Sequence, residues 1–311
     1  MLRAAGLLVL ALVTLPLAGS QDPRPAIPDD GRNAATILVP GEPWVLLGEG
    51  YQLTADSAVD NSGVVYFTDA HRNRIMKIDT AGNITTWKEN SGGAHGIAFG
   101  PDGRLYIGQH DRQRVVALSL DGREAVVAEG VQSHHLTVTA RNDIYLSQPP
   151  AHVVWLVKPD GSKRVVDKGM EWPRGVRSSN TQPLLAIADS RTPWVWSFQL
   201  AGDGSLLNGT RFCRLEADQS SEIDSGGIAF DSDGFLYIAT SQGIQVCDPQ
   251  GRVSAILRPP GAGGLTNVFF GGPGLQWLYV TGTDRIYRRP ARRRGVPFPG
   301  AANGLSPKHQ D

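Results

Sequence analysis

One strand-like segment recurs six times along this chain, and few folds accommodate such a repeat. The copies are GVVYFTD (63–69), GRLYIGQ (103–109), DIYLSQ (143–148), PLLAIAD (183–189), GFLYIAT (234–240) and QWLYVTG (276–282). Their central residues are Tyr66, Tyr106, Tyr145, Ala186, Tyr237 and Tyr279, so successive steps are 40, 39, 41, 51 and 42 residues. A period near 40 built from short alternating strands is the signature of a propeller. Only the fourth step is long, which places an insertion near 201–224.

About ten residues before each copy lies a second strand: SAVD (57–60), GIAFG (96–100), LTVT (136–139), GVRS (175–178), GIAFD (227–231) and NVFFG (267–271). Turn residues such as Asn61-Ser62-Gly63, Pro101-Asp102-Gly103 and Ser232-Asp233-Gly234 separate the two, which is a hairpin signature. A third strand follows, as in RIMKID (74–79), RVVALS (114–119) or GIQVCD (243–248). Each unit is therefore a short antiparallel sheet. One such sheet cannot bury its apolar faces alone, whereas six packed radially can, so the expected fold is an all-β, six-bladed β-propeller. A helical fold is excluded by the period-two alternation and by 37 glycines and 21 prolines among 311 residues. The segment AATILVPGEPWVLL (34–47) is expected to add a strand to the last blade and close the ring.

The chain ends need separate treatment. Residues 1–20 combine one basic residue, an apolar run from Leu7 to Leu17 and small residues at Ala18 and Ser20, the pattern of a secretory signal peptide. The run is too short to span a bilayer, and no later stretch is long enough. The expected organisation is a signal peptide (1–20), a linker (21–33), the propeller (34–289) and a solvated basic, Pro/Gly-rich tail (290–311) of a secreted or periplasmic monomer. Thirty basic and thirty acidic residues balance to a formal charge of zero, which gives no footing for nucleic-acid or anionic-membrane binding. Export permits a disulfide between the only two cysteines, Cys213 and Cys247. No spacing motif requires it, and two buried thiols are the alternative.

In a propeller the innermost strands line the axis and their entry residues face one mouth of the channel. Here those entries are Ala55, His95, His135, Arg174, Gly226 and Thr266, followed by Asp56, Gly96, Leu136, Gly175, Gly227 and Asn267. Asp69, Gln109 or His110, Gln148, Asp189 and Thr240 end the second strands. Polar groups converging from distant parts of a chain on a concave site make the default functional hypothesis. His95, His135 and Arg174 are thus the candidate catalytic residues, and Asp69, His110, Gln148 and Asp189 the candidate substrate contacts. Arg174 suits an anionic or carbonyl-bearing ligand, or alternatively a structural ion pair with Asp189. Asp231-Ser232-Asp233-Gly234 opens like a calcium loop but lacks the downstream glutamate. No GxSxG, HExxH or CxxC occurs.

Residues 44 to 289 resemble the family of gluconolactonases, the senescence marker protein and luciferin-regenerating enzyme. The resemblance is carried most specifically by GGIAFDSDGFLYIATSQGIQVCDPQGRVSAIL (226–257) and TNVFFGGPGLQWLYVT (266–281), with EGYQLTADSAVDNSGVVYFTDAHRNRIMKID (49–79) similar to the family's first blade. It implies an enzyme that hydrolyses sugar lactones with a channel-bound divalent cation, usually calcium, held by oxygen ligands. The family's four ligand positions fall on Ala55, His135, Arg174 and Gly226, and none of its ligand types is kept. An imidazole and a guanidinium offer no oxygen, so the calcium site is expected to be lost. His95, His135 and Asp56 are the alternative set for a borderline metal such as zinc. Three readings follow: a lactonase-type hydrolase of lactones or sugar-derived esters acting at the channel, a non-catalytic propeller that binds a sugar-like ligand or a protein partner, and a lyase with metal-bound histidines.

Overall fold

A computed structural model describes residues 34–180, 182–217, 223–260 and 264–299. The expected signal peptide and linker lie outside these residues. The chain forms six four-stranded antiparallel sheets arranged in a ring, a six-bladed β-propeller. Blades 1 to 5 each run outward from an inner strand: Thr54–Val59, Ala94–Phe99, Leu136–Val138, Pro173–Ser178 and Ile228–Phe230. Each inner strand contacts those of the two flanking blades, which closes the circle.

Blade 6 is completed by the other end of the chain. Its inner strand Leu265–Gly271 leads to Trp277–Gly282 and Arg285–Pro290, and the fourth, outermost strand is Val45–Glu49, paired antiparallel to Arg285–Pro290. The closing strand is thus the second half of the segment expected from sequence. Its first half begins with a single helical turn, Ala34–Ile37. The long fourth step of the repeat is explained by the nine-residue outer strand Leu206–Arg214 and the segment after it.

The repeated aromatics hold the blades together. Tyr145, Tyr237 and Tyr279 are fully buried, and apolar clusters lie between neighbouring blades, as where Tyr66 packs edge-on against Phe99 at 5.4 Å. Burying such rings against a pleated face supplies most of the stabilisation that a single sheet lacks. Near the axis the blades approach so closely that side chains give way. A Cβ on Gly175 would stand 2.3 Å from the carbonyl oxygen of Gly226 in the next blade. Hydroxyls tie adjacent blades at equivalent positions: Thr68 donates to the His95 carbonyl at 3.3 Å, and Ser147 donates to the Arg174 carbonyl at 2.6 Å. These bonds fix the two entry residues from behind.

Cys213 and Cys247 form a disulfide that joins the outer strand of blade 4 to blade 5. Residues 291–299, placed by the sequence reading in a solvated tail, instead lie along the propeller. Arg293 reaches Asp233 at 2.8 Å and sits over the Phe235 ring at 3.7 Å, and the Ser232 N–H donates to the Arg294 carbonyl. Phe298 packs on Phe99 at 5.4 Å. Sequence reading overlooks this because the ordering comes from ion pairs to distant acids rather than from periodicity; residues 300–311 lie outside the described part. Among the described residues, no helix is long and apolar enough to cross a membrane.

Candidate functional site

Four of the seven histidines meet at one mouth of the channel. Blade 2 supplies His95 at the head of its inner strand and His110 just after its second strand, whereas blade 3 supplies His134 and His135 immediately before Leu136. His110 stacks on His95 with ring centroids 4.5 Å apart, His95 meets His134 edge-on at 5.6 Å, and His134 lies 5.1 Å from His135. The run ends on a carboxylate: His135 Nδ1 is 3.5 Å from Asp56 Oδ1, both side chains being only 3% exposed. A continuous line of rings thus leads from the partly exposed His110 to a buried acid.

Three ring nitrogens in this line, Nδ1 of His95, Nδ1 of His134 and Nε2 of His135, are buried without a hydrogen-bond partner. An unmade bond at a buried polar atom is costly, so such atoms call for an explanation. Burial, reinforced by the neighbouring imidazoles, holds His95 down to about 4. Burial also places His134 well below the usual histidine range, with His135 and Arg174 adding to the effect. Both rings are therefore neutral near pH 7, and each keeps one nitrogen able to accept.

Asp56 is fixed from several sides. Its carboxylate accepts from the N–H groups of Ser57 at 2.8 Å and Ile97 at 3.1 Å, and from the Asn267 amide at 2.9 Å. Nδ1–H of His135 turned toward this acid leaves Nε2 as the accepting nitrogen. Arg174, across the mouth in blade 4, pairs with Asp224 at 2.5 Å, and Ser190 donates to the same carboxylate oxygen at 3.3 Å. The partner of Arg174 is thus Asp224, and the alternative pair with Asp189 is not formed.

The other expected contacts belong to their own blades. Asp69 accepts from Gln52 N–H at 2.9 Å and pairs with Arg74 at 2.9 Å. Asp189 accepts from the N–H groups of Glu171 and Trp172 at 3.0 and 2.9 Å, which shapes the loop that leads into Arg174. Gln148 accepts from the Trp155 indole at 2.9 Å. These three side chains position loops, and of the four expected substrate contacts only His110 joins the cluster.

Sequence reasoning left His134 out of the candidate site; Asn267 stood among the residues that follow the axial entries without a role, and Asp224 was not matched to Arg174. The signal for His134 was its adjacency to His135. Alternation in a strand would send the two to opposite faces, but both precede the strand and so keep their rings together, 5.1 Å apart. Nothing local marks Asp224, since it lies 50 residues from the arginine it meets.

The donor set does not suit the divalent cation that the resemblance implies. Calcium takes six to eight oxygens, whereas the corresponding positions present a methyl, an imidazole, a guanidinium and a glycine. Asp56 already accepts three hydrogen bonds, and among the described residues no group of three or more His, Cys, Asp or Glu side chains is placed to hold a metal ion. His95, His135 and Asp56 are not drawn into a zinc-like set.

Comparison with known proteins places this geometry in context. Residues 47–284 match the family described as the SMP-30/gluconolactonase/LRE-like region. A gluconolactonase from Xanthomonas campestris superposes with a TM-score of 0.73 at 19% identity, covering 86% of this chain and 99% of that one. Regucalcin from Agrobacterium tumefaciens, a calcium-binding protein, gives 0.69 at 15% identity over 82% and 95%. Virginiamycin B lyase from Staphylococcus aureus gives 0.57 at 14% identity over 75% and 79%. At these identities the likeness speaks for the fold alone. No curated protein matches the sequence.

Proposed function

Because the chain belongs to the SMP-30/gluconolactonase/LRE-like family, we propose that it hydrolyses a lactone or sugar-derived ester carrying an anionic group, at the imidazole-lined mouth of its channel and without the family's calcium. The observation that carries this reading is the line of four imidazoles, with unpartnered nitrogens, that ends on the His135–Asp56 pair beside Arg174.

The chemistry follows from the side chains. Arg174 binds the substrate's carboxylate or polarises its carbonyl, because a guanidinium presents several donors in a fixed fork. Nε2 of His135 accepts a proton from water as the water oxygen attacks the carbonyl carbon, and Asp56 stabilises the imidazolium that forms. The tetrahedral intermediate collapses with cleavage of the acyl carbon–oxygen bond, and the His135 proton passes to the departing alkoxide. The product is a hydroxy acid. Hydrogen-bond distances as long as 3.5 Å are common before substrate closes a site.

The test is turnover of lactones and esters, with and without a carboxylate, by wild type in the presence and absence of a chelator. Chelator-resistant hydrolysis that favours anionic substrates is expected. Hydrolysis abolished by chelation overturns the metal-free reading, and saturable ligand binding with no turnover in either arm moves the protein to the binding-module reading.

A further inference from the structure

The opposite end of the channel holds a second feature that hydrolysis does not use. Arg177 lies in blade 4 beyond Arg174 and lines a cavity of about 90 Å³ between the inner strands of all six blades and the segment Val296–Pro299. Its Nε–H donates to the Ile228 carbonyl of blade 5 at 3.1 Å. Among the described residues its four remaining N–H groups have no hydrogen-bond partner, and no carboxylate pairs with it within 4 Å. The nearest interacting acid, Asp56, is turned toward Ser57, Ile97, Asn267 and His135.

The cavity wall adds hydroxyl donors. Ser57 Oγ accepts from the Asn267 amide at 3.0 Å, which leaves its own proton to donate. Thr137 and Ser178 share one hydrogen bond at 3.0 Å, so one of the two protons is free. Arg177 is partly exposed to this space; water there can satisfy its N–H groups but leaves its charge uncompensated, which a small anion offsets. At about 10–15 Å³ of such space per water, the pocket takes several water-sized bodies. Phe298 on Phe99 and the Asn180 amide on the Pro297 carbonyl hold the closing segment in place.

From this juxtaposition we infer a second binding site, distinct from the imidazole mouth: a pocket for one small monovalent anion such as a halide, held by Arg177 and the Ser57, Thr137 and Ser178 hydroxyls beside the 296–299 segment. The anion supplies the charge that Arg177 lacks and so stabilises the ring from inside.

Thermal unfolding of the full-length protein at constant ionic strength, with bromide replacing a bulky organic anion, tests this. Wild type should show a rise in Tm that grows with the logarithm of bromide concentration and reaches about 5 °C at 100 times Kd, whereas Arg177→Met should show none and Arg177→Lys a reduced one. Should Arg177→Met fail to fold, a bromide-soaked wild-type crystal decides by anomalous scattering, with a peak beside Arg177 expected. Equal bromide effects on wild type and Arg177→Met, or no anomalous peak in the channel, overturn the proposal.

Discussion

At the residue scale, the site depends on imidazoles that packing keeps uncharged and incompletely bonded. His135 is the proposed base, because of the four imidazoles it alone lies beside the buried carboxylate. His135→Gln keeps the volume and removes the base, so kcat should fall by about 10²-fold or more with KM and thermal stability little changed. A variant of full activity transfers the role to another ring. Arg174 is proposed to act in recognition. Arg174→Gln should raise KM for carboxylate-bearing substrates about tenfold or more, as expected for a lost charged hydrogen bond, and leave neutral substrates nearly unaffected. Parallel kinetics on a matched anionic and neutral pair measure the split.

At the scale of strands and sheets, the ring is sensitive where blades touch. Gly175 opposes the Gly226 carbonyl with no room for a methyl group. Gly175→Ala therefore forces two inner strands apart and should cost about 1–3 kcal/mol in a denaturant titration, whereas the same change at Gly202, which has open space around it and no left-handed backbone, should cost less. The disulfide spans 34 residues of sequence. Cys213→Ser with Cys247→Ser should destabilise by about 4 kcal/mol in the loop-entropy account, read as a lower denaturation midpoint that wild type matches only when reduced.

Much of this level was legible beforehand. The inner, second and third strands are buried, so their alternation and their aromatics stand out in the sequence. The outer strands, such as Ile84–Glu89, Glu124–Glu129 and Lys163–Asp167, are half exposed and rich in charge. They were not legible, because an edge strand facing water carries little hydrophobic pattern.

For the molecule as a whole, the histidine cluster couples stability to pH. The folded state holds His95 and His134 below their ordinary value, so below about pH 6.5 the unfolded chain binds protons that the folded chain refuses. Stability is then complete above pH 6.5 and declines as pH falls toward 4. For His95 alone the loss by pH 5 is about 2 kcal/mol. Urea denaturation at pH 7 and pH 5 should show it, and His95→Gln should lessen the difference; an unchanged midpoint across that range removes the cluster from the stability of the fold.

The repeat alone required six radial sheets and named the residues that enter the axis, since burial of alternating strands is a local property that each copy states independently. The resemblance to the gluconolactonase family, rather than the repeat, placed that family's ligand positions on Ala55, His135, Arg174 and Gly226. Which of the entry residues meet was decided by ring closure. His134 joining the cluster, Asp224 reaching Arg174, Arg177 remaining without a carboxylate and residues 291–299 crossing the channel end all depend on contacts between segments far apart in the chain. A linear pattern carries no record of such contacts, because they arise only when the last blade meets the first.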